Sequence, residues 1–171
     1  MLPQTRQKRG IISELGREET MNEKPGKDID TLIEALYDSI CGPAGQERKW
    51  DQMRPLFFDR AHMIRTNVLE DGTPQAVVRD LEEYIESTAG FFDQQGFYEW
   101  EVARRTDIFG NVAHVSSAYE ARFDPDDPEP FKRGINSIQL FHDGQRWWII
   151  NMLWDNERDD NPLPAKYLIT E

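Results

Sequence analysis

The chain has 171 residues, 38% hydrophobic and 11% aromatic, which suits one domain with a real core and leaves too little for two. Its formal net charge of −12 repels phosphate backbones and anionic lipid, so nucleic acid and membrane surfaces are not expected partners. The single cysteine, Cys41, cannot make an internal disulfide or a multi-thiolate metal site; with no secretory-type leader or spanning stretch, the expected location is cytoplasmic.

Residues 1–27 are polar, rich in charge and end near Pro25-Gly26, and read as a flexible N-terminal extension with a short helix around Ile11 to Glu19. Residues 28–171 form the domain. Asp28 or Asp30 caps a helix whose Ile29, Leu32, Ile33, Leu36, Tyr37 and Ile40 lie on one face, and Gly42-Pro43 stops it. A short helix over Arg48 to Pro55 follows, then a strand from Ala61 to Leu69. Thr73-Pro74 predicts the start of a third helix with Val77, Leu81, Tyr84, Ile85 and Thr88 inward, closed by Gly90 or Gly96.

From Phe97 the pattern turns to strands. Gly110-Asn111 separates Tyr98–Phe109 from Val112–Phe123, and Asp143-Gly144 separates Phe131–His142 from Arg146–Asp155. Helices first and a meander of strands after them is an α+β layout: a curved antiparallel sheet wrapped on about three N-terminal helices.

The hairpin turns predict faces. With Gly110-Asn111 as a two-residue loop, Tyr98, Trp100, Val102, Val115, Tyr119 and Phe123 point to the core, and Glu99, Glu101, Arg105, Glu120 and Arg122 to solvent. With Asp143-Gly144 as the loop, Asn136 faces Asn151, Ile138 faces Ile149 and Leu140 faces Trp147. Trp148, Ile150, Met152 and Trp154 then form a second apolar surface, large enough that a homodimer through this sheet face is expected, the alternative cover being the segment from Asn161 to Ile169.

Three stretches carry a family resemblance: Tyr37-Asp-Ser-Ile-Cys-Gly-Pro-Ala-Gly45 with Trp50 and Leu56-Phe57; Phe109-Gly-Asn-Val-Ala-His-Val-Ser-Ser-Ala-Tyr-Glu120; and Gly134-Ile-Asn-Ser-Ile-Gln-Leu140 with Arg146-Trp-Trp-Ile149 and Trp154-Asp155. From Asp28 to about Leu168 the chain resembles a bacterial group of the nuclear transport factor two-like superfamily, also called SnoaL-like or ketosteroid-isomerase-like. The resemblance implies a cystatin-like cone, a pocket between sheet and helices, and frequent dimers. It does not imply one activity, because isomerases, dehydratases, cyclases and binding proteins share the scaffold.

Isomerase chemistry of this kind needs a carboxylate to move a proton and a hydroxyl or protonated acid to hold the developing oxyanion. Tyr37 and Tyr119 are inward tyrosines, each also readable as a core residue with a satisfied hydroxyl, and no inward carboxylate answers the isomerase base, Asp155 sharing the Leu140/Trp147 face only at a strand end. Asp107 and His114 are expected cross-strand neighbours that could act as a carboxylate-oriented base or equally be a surface ion pair. Arg65 could anchor an anionic ligand, a plain exposed arginine being the alternative. The expectation is a protein that binds a small hydrophobic molecule in a pocket lined by Tyr37, Arg65, Trp100, Tyr119, Asn136 and Asn151. The alternatives are an isomerase or dehydratase acting on a hydrophobic cyclic or polyketide-like substrate without a cofactor, and a structural dimerisation module. No cofactor is expected, since there is no phosphate-binding glycine loop, and no metal: Asp155, Glu157 and Asp159 alternate like a calcium loop, but Asp160 and Lys166 stand where glycine and glutamate belong.

Overall fold

A computed structural model describes residues 26–169. The expected extension lies outside the described residues except for Gly26 and Lys27, and the Gly26 carbonyl accepts the Trp147 N–H at 2.7 Å. Helix α1 spans Ile29–Ile40, and the Asp28 side chain caps it by accepting the Thr31 N–H at 2.8 Å. The six apolar residues of its expected stripe are all buried. Helix α2, Trp50–Met53, runs into a 3-10 turn at Arg54–Leu56 and delivers the chain to strand β1, Phe57–Val68.

The expected helix at Thr73-Pro74 is instead strand β2, Pro74–Arg79, paired antiparallel with β1. Pro74 is the first residue of an edge strand, where its missing N–H removes no ladder bond. Helix α3, Leu81–Gln94, begins at a stronger signal six residues on. The Asp80 carboxylate accepts the Glu83 N–H at 2.9 Å, and the Glu83 carboxylate accepts the Asp80 N–H at 3.0 Å, a complete capping box. The helix runs through Gly90 and ends before Gly96. Leu81, Tyr84, Ile85 and Thr88 turn inward as expected, while Val77 belongs to the strand.

Strands β3 (Tyr98–Phe109), β4 (Val112–Arg122), β5 (Lys132–His142) and β6 (Trp147–Asn156) complete a six-stranded sheet of order β2-β1-β6-β5-β4-β3. All neighbours are antiparallel except β1 and β6, which run parallel and make the sheet mixed. Helices α1 and α3 cover its inner face. The main core lies between α1 and that face, built from Leu32, Ile33 and Leu36 against Val115, Ile138, Leu140 and Ile149.

Two bulges overturn the expected faces. In β3 the register shifts between Glu101 and Ala103, so Glu101 pairs with Tyr119 and Glu99 with Ala121. Val102 is the extra residue. Beyond it the alternation inverts: Glu99 turns inward and is buried, whereas Trp100 and Val102 are exposed on the outer face. The Arg122 guanidinium lies 4.6 Å over the Trp100 ring. In the last hairpin the loop is Asp143 to Arg146, closed by the Asp143 N–H donating to the Arg146 carbonyl, so His142 pairs with Trp147. A second bulge near Ile150 then places Asn136 opposite Trp154, and Asn151 opposite Gln139. The expected Asn136–Asn151 pair does not form. Nor do Trp148, Ile150, Met152 and Trp154 share a face: Met152 and Trp154 turn inward onto the core.

Candidate functional site

Across the inner face, Arg65, Trp154, Asn136, Ser117 and Arg104 form one cross-strand row from β1 to β3. The next row contains Asn156, Gly134, Tyr119 and Glu101, and the one after it Lys132, Ala121 and Glu99. Gly134 is required there, because a Cβ would lie 2.5 Å from the Tyr119 hydroxyl and 2.3 Å from the Asp155 carbonyl oxygen. Without that Cβ the Tyr119 ring crosses β5, and its hydroxyl donates to Asn156 Oδ1 at 2.7 Å.

Tyr37, brought in by α1, sits in a continuous hydrogen-bonded chain. Asn136 Nδ2 donates to Tyr37 Oη at 3.0 Å, Tyr37 Oη lies 2.7 Å from Ser117 Oγ, and Ser117 donates to Glu101. Arg104 Nε closes the chain by donating to Glu101 at 2.8 Å, and its guanidinium also reaches Asp30. Because Asn136 fills a lone pair of Tyr37 and Ser117 donates onward, the Tyr37 proton points at Ser117. Tyr37, Tyr119 and Asn136 are therefore committed to other side chains, and all three are buried in the core rather than lining an open cavity. Burial raises the hydroxyl pKa of both tyrosines, and the charge of Glu99 adds to it.

Glu99 is the residue that simple alternation hides. It is 8% exposed, and burial pushes its carboxyl up to about 7, although the Lys132 ammonium and hydrogen bonding from Asn136 pull the other way. Its charge is felt by Tyr37, Tyr84, Tyr119, Cys41 and Lys132, so it sits at the junction of α1, α3 and the sheet. Tyr84 descends from α3 edge-on to the Trp154 ring, with centroids 6.1 Å apart. Its hydroxyl makes no hydrogen bond among the described residues, and burial, then Glu99, raise its pKa. On the same inner face Lys132 and Trp154 are half-buried and Arg65 is exposed. The sequence does hold a clue to Glu99: Val102-Ala103 puts two apolar residues in succession and breaks the alternation that Glu99 and Glu101 otherwise follow.

The other expected site residues do not join this group. Asp107 and His114 are paired across the first hairpin, but both are exposed: Asp107 lies 3.5 Å from Arg105, and His114 Nε2 lies 2.9 Å from Ser137 Oγ. They form no dyad. Trp100 and Asn151 lie on the outer face. Cys41 donates its thiol to the Tyr37 carbonyl at 3.2 Å, and burial raises its pKa, as in a structural thiol. A surface depression of about 530 Å³ lies elsewhere, beside the α3 N-terminus, lined by Phe57, Arg60, His62 and Leu81. Among the described residues no three of His, Cys, Asp and Glu gather to hold a metal, and no helix is long and apolar enough to cross a membrane.

No family model and no curated protein matches the chain. Solved structures do. A protein of unknown function from Mycobacterium tuberculosis matches with a TM-score of 0.56 at 14% identity, over 80% of this chain and 79% of that one. A protein with a cystatin-like fold from Caulobacter vibrioides matches with a TM-score of 0.54 at 14% identity, over 77% and 89%. A proposed dehydratase of the NTF2-like family from Streptomyces avermitilis matches with a TM-score of 0.52 at 10% identity, over 74% and 91%. At such identities the likeness concerns the fold, and the fold is the cystatin-like α+β cone of the NTF2-like proteins.

Proposed function

We propose that this protein binds a small organic molecule at the open end of the inner face, and that Glu99 moves a proton on it. The carrying observation is a glutamate buried on the inner face of β3, where burial raises its pKa to about 7. A carboxylate so placed is a stronger base than one in water, and it is partly ionised and partly protonated near neutral pH, as general acid–base work requires. The unpaired Tyr84 hydroxyl beside it supplies a donor for an oxygen that gains charge.

The chemistry these two groups suit is removal of a proton from a carbon next to a carbonyl. The C–H bond breaks, the proton goes to the Glu99 carboxylate, and the electron pair moves to the carbonyl oxygen against Tyr84. Return of the proton at another carbon gives isomerisation, and departure of a β-hydroxyl, protonated to leave as water, gives dehydration. A dehydratase role has been proposed for one protein of the same fold. Tyr37, Ser117 and Glu101 hold Asn136 in place through their hydrogen-bonded chain and stay out of the chemistry.

The test uses cyclohex-3-enone and a β-hydroxy ketone, following formation of the conjugated enone by ultraviolet absorbance. The wild type is expected to accelerate one of them, Glu99→Gln to abolish the acceleration, and Tyr84→Phe to reduce it about 100-fold. A Glu99 carboxyl that titrates near its ordinary 4.5 in a carbon-13 NMR experiment would overturn the proposal. Binding without turnover is the second reading. It is favoured by the Tyr37–Ser117–Glu101 chain, which leaves Asn136, Tyr37 and Ser117 satisfied without a substrate.

A further inference from the structure

Where β1 begins, the sheet has a free edge. Strand β2 pairs with β1 only from Met63 onward, so His62 and the residues before it have no strand partner on that side. On the other side Phe57 stands opposite Ile149 and His62 opposite Asn151, which sets residues 58 to 61 of β1 against Ile150 alone. The surplus chain includes Arg60, whose φ of 60° makes it the one non-glycine residue in the left-handed region among the described residues. That conformation crowds a Cβ, and glycine would hold it without the clash, yet the position carries a long cation. Outliers of this kind cluster at ligand sites, and bulges re-aim side chains there.

The bulge changes where side chains go. In a regular strand Asp59 and Arg60 would point to opposite faces. Here both line the depression of about 530 Å³ beside α3, together with His62. That volume is in the range of small-molecule sites. Buried Phe57 and Ala61 and half-buried Leu81 supply apolar walls. Arg54 fixes the α3 side: its guanidinium donates to both Glu82 carboxylate oxygens, at 2.7 and 3.0 Å, and to Asp51 at 2.9 Å. The Asp80 carboxylate is committed to the Glu83 N–H. Asp59, Arg60 and His62 make no hydrogen bond or ion pair among the described residues. One anion and one cation, adjacent in the chain and beside an apolar wall, are therefore left uncommitted.

We propose that this depression binds an α-amino acid with an apolar side chain. The ligand carboxylate lies on the planar fork of Arg60, the ammonium on Asp59, and the side chain against Phe57, Ala61 and Leu81. The His62 imidazole is a further hydrogen-bonding partner for the carboxylate. A simple anion would meet Asp59 as a like charge, and a simple cation would meet Arg60; the zwitterion matches both. The site shares no lining residue with the Glu99 group and goes beyond the proton-transfer reading.

The experiment titrates the full chain with L-phenylalanine, phenethylamine and 3-phenylpropanoate. All three carry the same ring, with both charges, the positive charge alone and the negative charge alone. Binding is followed by backbone amide shifts in nitrogen-15 NMR spectra. L-phenylalanine is expected to bind about tenfold or more tightly than either singly charged analogue, with the largest shifts around the β1 bulge and Leu81. Arg60→Gly is expected to lose about that factor for L-phenylalanine, to leave phenethylamine unchanged, and to melt no earlier than the wild type, since glycine relieves the left-handed backbone. Asp59→Asn is expected to weaken L-phenylalanine and phenethylamine but not 3-phenylpropanoate. It keeps the shape of the side chain and leaves Arg60 in place, so it carries the test independently of any change in the bulge. No binding of L-phenylalanine at about 10 mM, equal affinity for the three compounds, shifts confined to other parts of the molecule, or variants that bind as the wild type does would overturn the inference.

Discussion

Glu99 carries the largest single consequence at the residue scale. In the unfolded chain its carboxyl ionises near 4.5, and in the fold it does so near 7. The folded state therefore binds the proton more tightly, so between these values it holds more protons than the unfolded chain. Stability contributed through Glu99 is complete below about 4.5, falls as the pH rises through the window, and is level above about 7, the full loss being about 3 kcal/mol. Glu99→Gln removes the ionisation and keeps the shape. The expected outcome is a variant that melts higher than the wild type at pH 8, with a shallower fall in Tm between pH 5 and 8, measured by differential scanning calorimetry. Equal pH slopes in the two proteins would show that Glu99 titrates as an ordinary surface carboxylate. Tyr37 was legible from the sequence as an inward residue on the α1 stripe. Its hydroxyl partners were not, because Ser117 and Asn136 come from strands 80 and 99 residues away in the chain.

At the scale of elements, local signals agree with the structure wherever they are satisfied within a few residues. The Asp28 cap and the Gly110-Asn111 turn need only their neighbours, and both occur where the pattern places them. Two local signals competed at the start of α3: a proline in a first-turn position at Pro74, and the Asp80–Glu83 box. The box satisfies two helix N–H-end donors reciprocally, whereas Pro74 satisfies none, and β1 offered the intervening residues a strand partner. Asp80→Ala is expected to cost about 1 kcal/mol in urea unfolding. No change in the midpoint would mean that packing of Leu81, Tyr84 and Ile85 alone sets the helix start. The bulges are the opposite case. One extra residue in β3 and one in β6 reverse every side chain beyond them, and each strand's period-two pattern is otherwise intact.

For the whole molecule, the outer face of the sheet keeps Trp148 and Ile150 and gains Trp100 and Val102, while Met152 and Trp154 leave it for the core. We expect a homodimer through this face, with a centre shifted toward Trp100. Analytical ultracentrifugation at micromolar concentration is expected to show a dimer that Trp100→Glu and Trp148→Glu convert to monomer; a monomeric wild type would end that reading. The sequence by itself determined the number and order of the strands after Phe97, the inner stripe of α1, the α+β layout and the resemblance to the cone fold, because hydrophobic periodicity and turn chemistry act over a few neighbouring residues. Only the tertiary structure decided which side of β3 and β6 faces inward, and with it the site. A bulge is stabilised by its cross-strand partners and by the helices packed over the sheet, and the raised pKa of Glu99 is set by how those layers exclude water.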